Sequence, residues 1–298
     1  HLTPTHLSQT AARALDLARG AVPPHRGAAR LSPVEPLKAH YTSHYAVDPF
    51  TVPLARKLDY LLWANRELLG PKAVRHAMTH MDFYKRRKLF VSTEGAWIEQ
   101  QFIESGAGLE VIAQQGDEVQ SRSFPNSHGG ALAQAGFEYV KALDLVGGAK
   151  QAQRDVLALL RAPTPRARET TIVLDPTQVV MQLHESCGHP AELDRALGQE
   201  LSYAGGSFLT PDRLGRFQYG SPHVTIVADA TIPGGVGSLG FDDEGVPAQR
   251  VDLVRDGVFV GYLSSRESAA RFHGRSSGAM RAELWDVPPL VRMTNVNL

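Results

Sequence analysis

Leu183-His184-Glu185-Ser186-Cys187-Gly188-His189-Pro190 is the stretch from which the rest of the chain can be read: two histidines and an acid fall within six residues. Upstream, Thr170–Pro176 reads as a buried strand ending in a turn. Thr177 then caps a helix that carries Val179, Val180, Met181 and Leu183. The histidine pair is therefore expected at the end of a mostly apolar, largely buried helix. Neutral imidazoles bind Zn²⁺ well, and a neighbouring carboxylate such as Glu185 can take a proton from water, so the residue types suit metal-assisted hydrolysis.

The spacing constrains this reading. Histidines at i and i+4 on a helix lie roughly 40° apart around its axis, whereas the i, i+5 spacing here puts them about 140° apart. A regular helix cannot aim both rings at one ion. Either the helix stops at Gly188 or it widens by one residue into a π-type turn between Cys187 and Pro190. Gly188 permits a stop and Pro190 enforces an ending soon after. Spacing alone leaves the bland alternative open, in which two solvated histidines cap a helix C-terminus, where a cationic ring is favoured.

The chain has 298 residues, enough for two domains. Lys and Arg number 31, as do Asp and Glu, so no global basic field draws it to nucleic acid or to an anionic membrane. No stretch of about 18 apolar residues is present to span a bilayer. Cys187 is the sole cysteine, so no intrachain disulfide forms, which fits a cytoplasmic location. Cys187 beside His184 and His189 also raises a thiol nucleophile, although neighbours on one distorted turn rarely reach that geometry. The chain opens at His1 and closes on Val287–Leu298, a run that reads like the middle of a domain, so truncation at both ends is expected. Apolar strands such as 223–228 and 258–263 would then lack cover.

Taken in order, residues 8–20 form an alanine-rich amphipathic helix, 21–47 an extended connection, and Asp48 caps a long helix that ends at Gly70-Pro71. From Val74 the period changes to two. Candidate strands span 74–82, 85–92, 96–103, 108–114 and 117–123, with Glu104–Gly108 as one of the turns. Helices over 131–161, interrupted near Gly147-Gly148, cover one face. Ala162–Pro165 marks the boundary between an N-terminal domain, 1–165, and a second domain, 166–298. After the histidine stretch come Glu192-Leu193-Asp194, a glycine turn at Gly205-Gly206-Ser207, a strand over 222–229, and the glycine-rich Gly234–Gly240, which lacks the lysine-serine pair of a phosphate loop. A hairpin over 250–263 turns at Asp256-Gly257, and 264–272 read as a short helix. The class is α+β: an antiparallel sheet with helices on one face, then a β-rich domain bearing the H-E-x-x-x-H helix.

The ordered motifs carry a resemblance. His184–His189, Glu192-Leu193-Asp194, Gly206-Ser207-Phe208, Asp242-Asp243-Glu244-Gly245 and Arg292-Met293-Thr294-Asn295 occur in the order found in the TldD/PmbA family of metallopeptidases, once described as modulators of DNA gyrase. The resemblance implies zinc as cofactor, His184 and His189 as its ligands, Glu185 as general base, and small or unfolded peptides as substrates, with Gly205, Gly206 and Ser207 as candidate substrate contacts. It implies a dimer, with an identical or a paralogous subunit, and a metal-bearing, TldD-like role for this chain. The alternative is a non-catalytic subunit that binds peptide or completes the cavity. The family's third ligand is a cysteine far downstream, absent from this sequence; Cys187 is not that residue, and an acid near Glu192 or Asp194 would have to complete the site within this chain. The Asp242–Gly245 run reads locally as a turn.

Overall fold

The computed structural model describes residues 3–21, 29–272, 274–284 and 286–298. Helix α1 (Pro4–Ala21) lies entirely exposed. Of the predicted extended connection over 21–47, residues 22–28 lie outside the described residues, and Lys38–Thr42 form strand β1. Helix α2 (Leu54–Leu68) follows. Strands β2 (Val74–Val91), β3 (Trp97–Gln115), β4 (Glu118–Phe124) and β5 (Ala131–Ala133) complete the first sheet with β1. β3 is its spine: β2 and β4 pair with it antiparallel, β5 likewise, and β1 runs parallel to it.

The predicted five-strand meander is thus built from fewer, longer strands. Glu104–Gly108 is not a turn but the middle of β3. A Cβ on Gly108 would lie 1.8 Å from the Gly129 carbonyl oxygen, and one on Gly106 would lie 2.7 Å from that of Ala131. The glycines mark the close approach of the backbone leading into β5 and not a chain reversal.

Helices α3 (Phe137–Ala142) and α4 (Leu145–Leu159) cover the sheet with α2. Ala64 and Leu68 of α2, Leu109 and Val111 of β3, and Leu145, Ala149 and Val156 of α4 make the first core. The helical break falls at Asp144 and not at Gly147-Gly148. The Asp144 carboxylate caps α4 by accepting from the Gly147 N–H at 3.2 Å, and Gly148 lies flush against the Phe124 ring.

Residues 162–175 are exposed and without regular structure. The predicted buried strand at 170–174 is therefore absent: Ile172 and Val173 are 72% and 93% exposed, and no strand among the described residues pairs with them. Helix α5 (Pro176–Leu183) is capped by Asp175, not Thr177, and buries no residue, contrary to expectation. A π-helical turn follows at His184–Gly188, then α6 (Leu193–Ala196).

The remaining elements are β6 (Ile226–Asp229), β7 (Arg250–Arg255), β8 (Val258–Phe259), α7 (Arg266–Arg271), β9 (Met280–Arg281), β10 (Leu290–Val291) and β11 (Asn295–Asn297). β11, β6, β7 and β8 form one antiparallel sheet, and β9 pairs with β10. This sheet and the π turn share a second core containing Cys187, Ile226, Leu253, Phe259, Val291 and Met293. Ile226 and Phe259 are fully buried, so the strands expected to lack cover have it. The glycine-rich loop wraps a side chain and not a phosphate: the Gly237 N–H donates to Asn295 Oδ1 at 2.8 Å, and a Cβ on Gly235 would strike Asn295. Polar contacts join the two cores. The Gln100 amide donates to the Phe241 carbonyl oxygen at 2.8 Å, and the Arg266 guanidinium forks onto Glu94 at 2.6 and 2.8 Å. The fold is α+β.

Candidate metal centre

The π turn resolves the spacing problem. The His189 N–H donates to the His184 carbonyl oxygen at 3.0 Å, an i→i+5 bond that closes the turn over one extra residue. The two imidazoles consequently face each other, with ring centroids 4.6 Å apart and planes at 85°. Ligand-type atoms of His184, Glu185 and His189 all lie within 4.8 Å of one another. His184 Nε2 and Glu185 Oε1 are 4.0 Å apart, and the side chains are 47% and 63% exposed, against 25% for His189. The cluster therefore opens to solvent on one side and rests on protein on the other.

Sequence reading missed most of the support beneath it. His189 Nδ1 lies 3.0 Å from Glu192 Oε2, and Arg195 Nη2, which donates to that same oxygen, lies 3.2 Å from the ring nitrogen. With Nδ1–H donating to that carboxylate, Nε2 keeps its lone pair for an ion, the arrangement in which a carboxylate orients a metal-binding imidazole. Glu192 is fully buried and is balanced by Arg195, which donates from Nε and Nη2 at 3.2 and 3.0 Å. Arg292 reaches toward Glu192 at 3.9 Å and donates to Glu200 at 3.0 Å. Glu192 Oε1 is buried with no hydrogen-bond partner among the described residues. The i, i+3 spacing from His189 to Glu192 is a local signal of this contact, since it places a side chain one turn on from the ring, and Glu192 also belongs to one of the ordered motifs.

The turn is also pinned from below. Gly188 packs on Met293 so closely that a Cβ there would lie 1.9 Å from the sulfur. The Tyr219 hydroxyl donates to the Ser186 carbonyl oxygen at 3.0 Å. Cys187 is buried in the second core, and burial pushes its thiol up to about 12. A thiol held protonated in this way is no nucleophile at neutral pH, which removes the reading that made Cys187 reactive.

Two converging imidazoles are donors that suit Zn²⁺, with the Glu185 carboxylate beside them, and the held Nδ1 of His189 suits the ion further. Glu192 and Asp194 do not complete it. The former braces His189, while Asp194 turns the other way and accepts from the Ser265 hydroxyl at 3.4 Å. The Ser207 hydroxyl donates to the Pro190 carbonyl oxygen at 2.6 Å and accepts from the Leu209 N–H at 2.9 Å, so it ties the loop after the π turn back to it. Gly205 has a left-handed φ of +82° and open space around its Cβ position.

Residues 167–298 match the PmbA/TldA metallopeptidase C-terminal domain. The chain is 33% identical over 270 residues to a metalloprotease of Synechocystis sp., across 89% of this chain and 55% of that protein. It is 29% identical over 251 residues to a metalloprotease of Methanocaldococcus jannaschii, across 84% of this chain and 51% of the other. The chain thus spans about half the length of these curated relatives. A relative in Saccharolobus solfataricus, 26% identical over 148 residues (48% of this chain, 30% of that protein), is called a zinc metalloprotease TldD homolog. In fold, the crystal structure of TldE from Thermococcus kodakarensis superposes with a TM-score of 0.66 at 14% identity, across 99% of this chain and 62% of that one. Motif order, matched domain and shared fold agree, and the chain belongs to the TldD/PmbA family.

Proposed function

We propose that this chain carries the reacting side chains of a zinc-dependent, TldD-like peptidase that hydrolyses small or unfolded peptides. The observation that carries the reading is the convergence of His184, Glu185 and His189 on one face of the π turn. His184 and His189 would hold the ion, with His189 kept in register by Glu192. When bound, the ion supplies Lewis-acid polarisation of the scissile carbonyl and makes water a better acid. Glu185, the most exposed of the three, takes the proton from the attacking water and delivers it to the departing amine. Catalytic zinc normally has three protein ligands and an open position. The third would come from a cysteine outside this sequence, and a second subunit, identical or paralogous, would close the cavity over the open side of the cluster.

The test compares variants of the full-length protein on an unstructured peptide, with metal content measured on each. Glu185→Gln keeps size and polarity but cannot accept the proton, so zinc should stay while hydrolysis falls by about 10²–10⁴-fold. His184→Ala should lose zinc and activity together. Cys187→Ala should leave turnover largely intact. Loss of cleavage in Cys187→Ala with full activity in Glu185→Gln would overturn the reading.

A further inference from the structure

Among the described residues, Arg281 is a cation that forms no ion pair. It lies on β9, opposite Leu290 of β10, and Arg292 follows directly after that strand ends. Its side chain lines two cavities, of about 460 and 400 Å³, the size of small-ligand sites. Tyr84, Phe102, Leu132 and Phe241 give the first an apolar wall. The other cations here are matched: Arg86 pairs with Glu104, Lys88 with Asp243, and Arg292 with Glu200. Arg281 makes no side-chain hydrogen bond or ion pair among the described residues, and Glu283, which lines both cavities, comes within ion-pair distance of neither it nor any other cation there. Partial desolvation, Arg86 and Arg292 push the Arg281 pKa down, Asp243 and Glu192 push it up, and the guanidinium stays charged. Arg281 is exposed where it lines these cavities, so an anion entering either one can reach its guanidinium. The second cavity connects to the histidine cluster through Arg292, which lines it and reaches toward Glu192 at 3.9 Å, and Glu192 holds His189.

We infer that Arg281 is a substrate anchor that receives a peptide carboxylate in the cavity between β2, β3 and β9. A planar guanidinium grips a carboxylate through two parallel hydrogen bonds, and the aromatic wall beside it suits an apolar side chain next to that carboxylate. The inference rests on the peptide-hydrolysis reading. It adds that the substrate is held by its charge at one point while the backbone lies across the histidines. The carboxylate can come from the peptide's C-terminus or from an acidic side chain, and the two sources are separable.

The experiment measures fluorescence anisotropy of three labelled apolar peptides on the full-length protein in the Glu185→Gln background, where nothing is turned over. One ends in a free carboxylate, one in an amide, and one in an amide with a glutamate side chain near its end. The free acid should bind about 10- to 100-fold more tightly than the plain amide, the scale of hydrogen bonds to a charged group. Arg281→Gln should abolish the difference, and Arg281→Lys, which keeps the charge but not the fork, should retain part of it. Tight binding of the glutamate peptide would assign the anchor to a side chain, and weak binding would assign it to the C-terminus. Equal affinity for acid and amide in the parent protein, or a preference that survives Arg281→Gln, would overturn the anchor. A carboxylate preference without hydrolysis by the wild type would keep the anchor and remove the peptidase reading. Hydrolysis without the preference would do the reverse.

Discussion

Glu185 and Glu244 are both carboxylates in the second half of the chain, and their surroundings are opposite. Glu185 is 63% exposed, beside two open imidazoles. Glu244 is half-buried beside two buried acids, Asp242 and Asp194. Asp242 accepts from the N–H groups of Glu244 and Val246, each at 2.9 Å, and from that of Met280 at 3.1 Å. Glu244 accepts from the Arg266 N–H at 2.6 Å. These bonds fasten the Asp242–Gly245 turn to β9 and α7. The reagent role proposed for Glu185 needs lone pairs that face solvent, whereas at Asp242 and Glu244 backbone N–H groups consume them. Between the two lies Glu192, buried like Asp242 but bonded to a ring that faces the opening.

That intermediate position makes Glu192 the strongest point at which to break the comparison. Glu192→Ala would leave Arg195 without its main partner in a buried setting, and loss of about 3–5 kcal/mol is expected, the cost of orphaning a buried charge. Glu192→Gln should fold better and instead weaken zinc binding by about 10- to 100-fold, as for other residues that orient a ligand. Denaturant unfolding and metal titration separate the two. Unchanged stability in the alanine variant would place Glu192 outside the framework.

A smaller effect is expected at Gly188. An alanine there cannot coexist with the present seat of Met293, so either the π turn or the methionine must shift, at about 1–3 kcal/mol. Gly188→Ala paired with Met293→Ala should recover part of the loss, because the clash is gone. Additive losses in the pair would mean that the two residues do not press on each other.

The smallest effect concerns the buried acids and sharpens the contrast through pH. Burial raises Asp242 to about 6 and Glu244 to about 7, from ordinary values of 3.8 and 4.5. The folded chain therefore holds protons that the unfolded chain releases. Their contribution is fully favourable below the unfolded values and is lost as pH rises through about 6 to 7. Glu244→Gln keeps an acceptor for the Arg266 N–H and removes one of the two titrations, so the decline in melting temperature between those limits should become shallower. An unaltered slope would show that Glu244 is ionised throughout.

Much of this was readable along the chain. The i, i+5 histidine spacing demanded a widened or broken helix, and Gly188-His189-Pro190 marked where, because ring directions follow from helical geometry alone. The hairpin at Asp256-Gly257 and the helix–sheet–helix order of the first half were visible through periodicity and turn residues, which are local properties. What local pattern could not decide was anything set by a distant neighbour. Ile172-Val173-Leu174 has the composition of a buried strand but is exposed, since burial needs a partner and none of the described residues supplies one. Gly106 and Gly108 look like a turn until β5 is seen crossing over them. Cys187 looks reactive beside two histidines until the second core closes around it and raises its pKa. Glu192, Arg195, Met293 and Arg281 draw their roles from contacts, or the lack of one, between segments up to about a hundred residues apart. Spacing carries the chemistry of neighbours on one turn; which charges are matched, buried or left open is settled only when separate segments pack together.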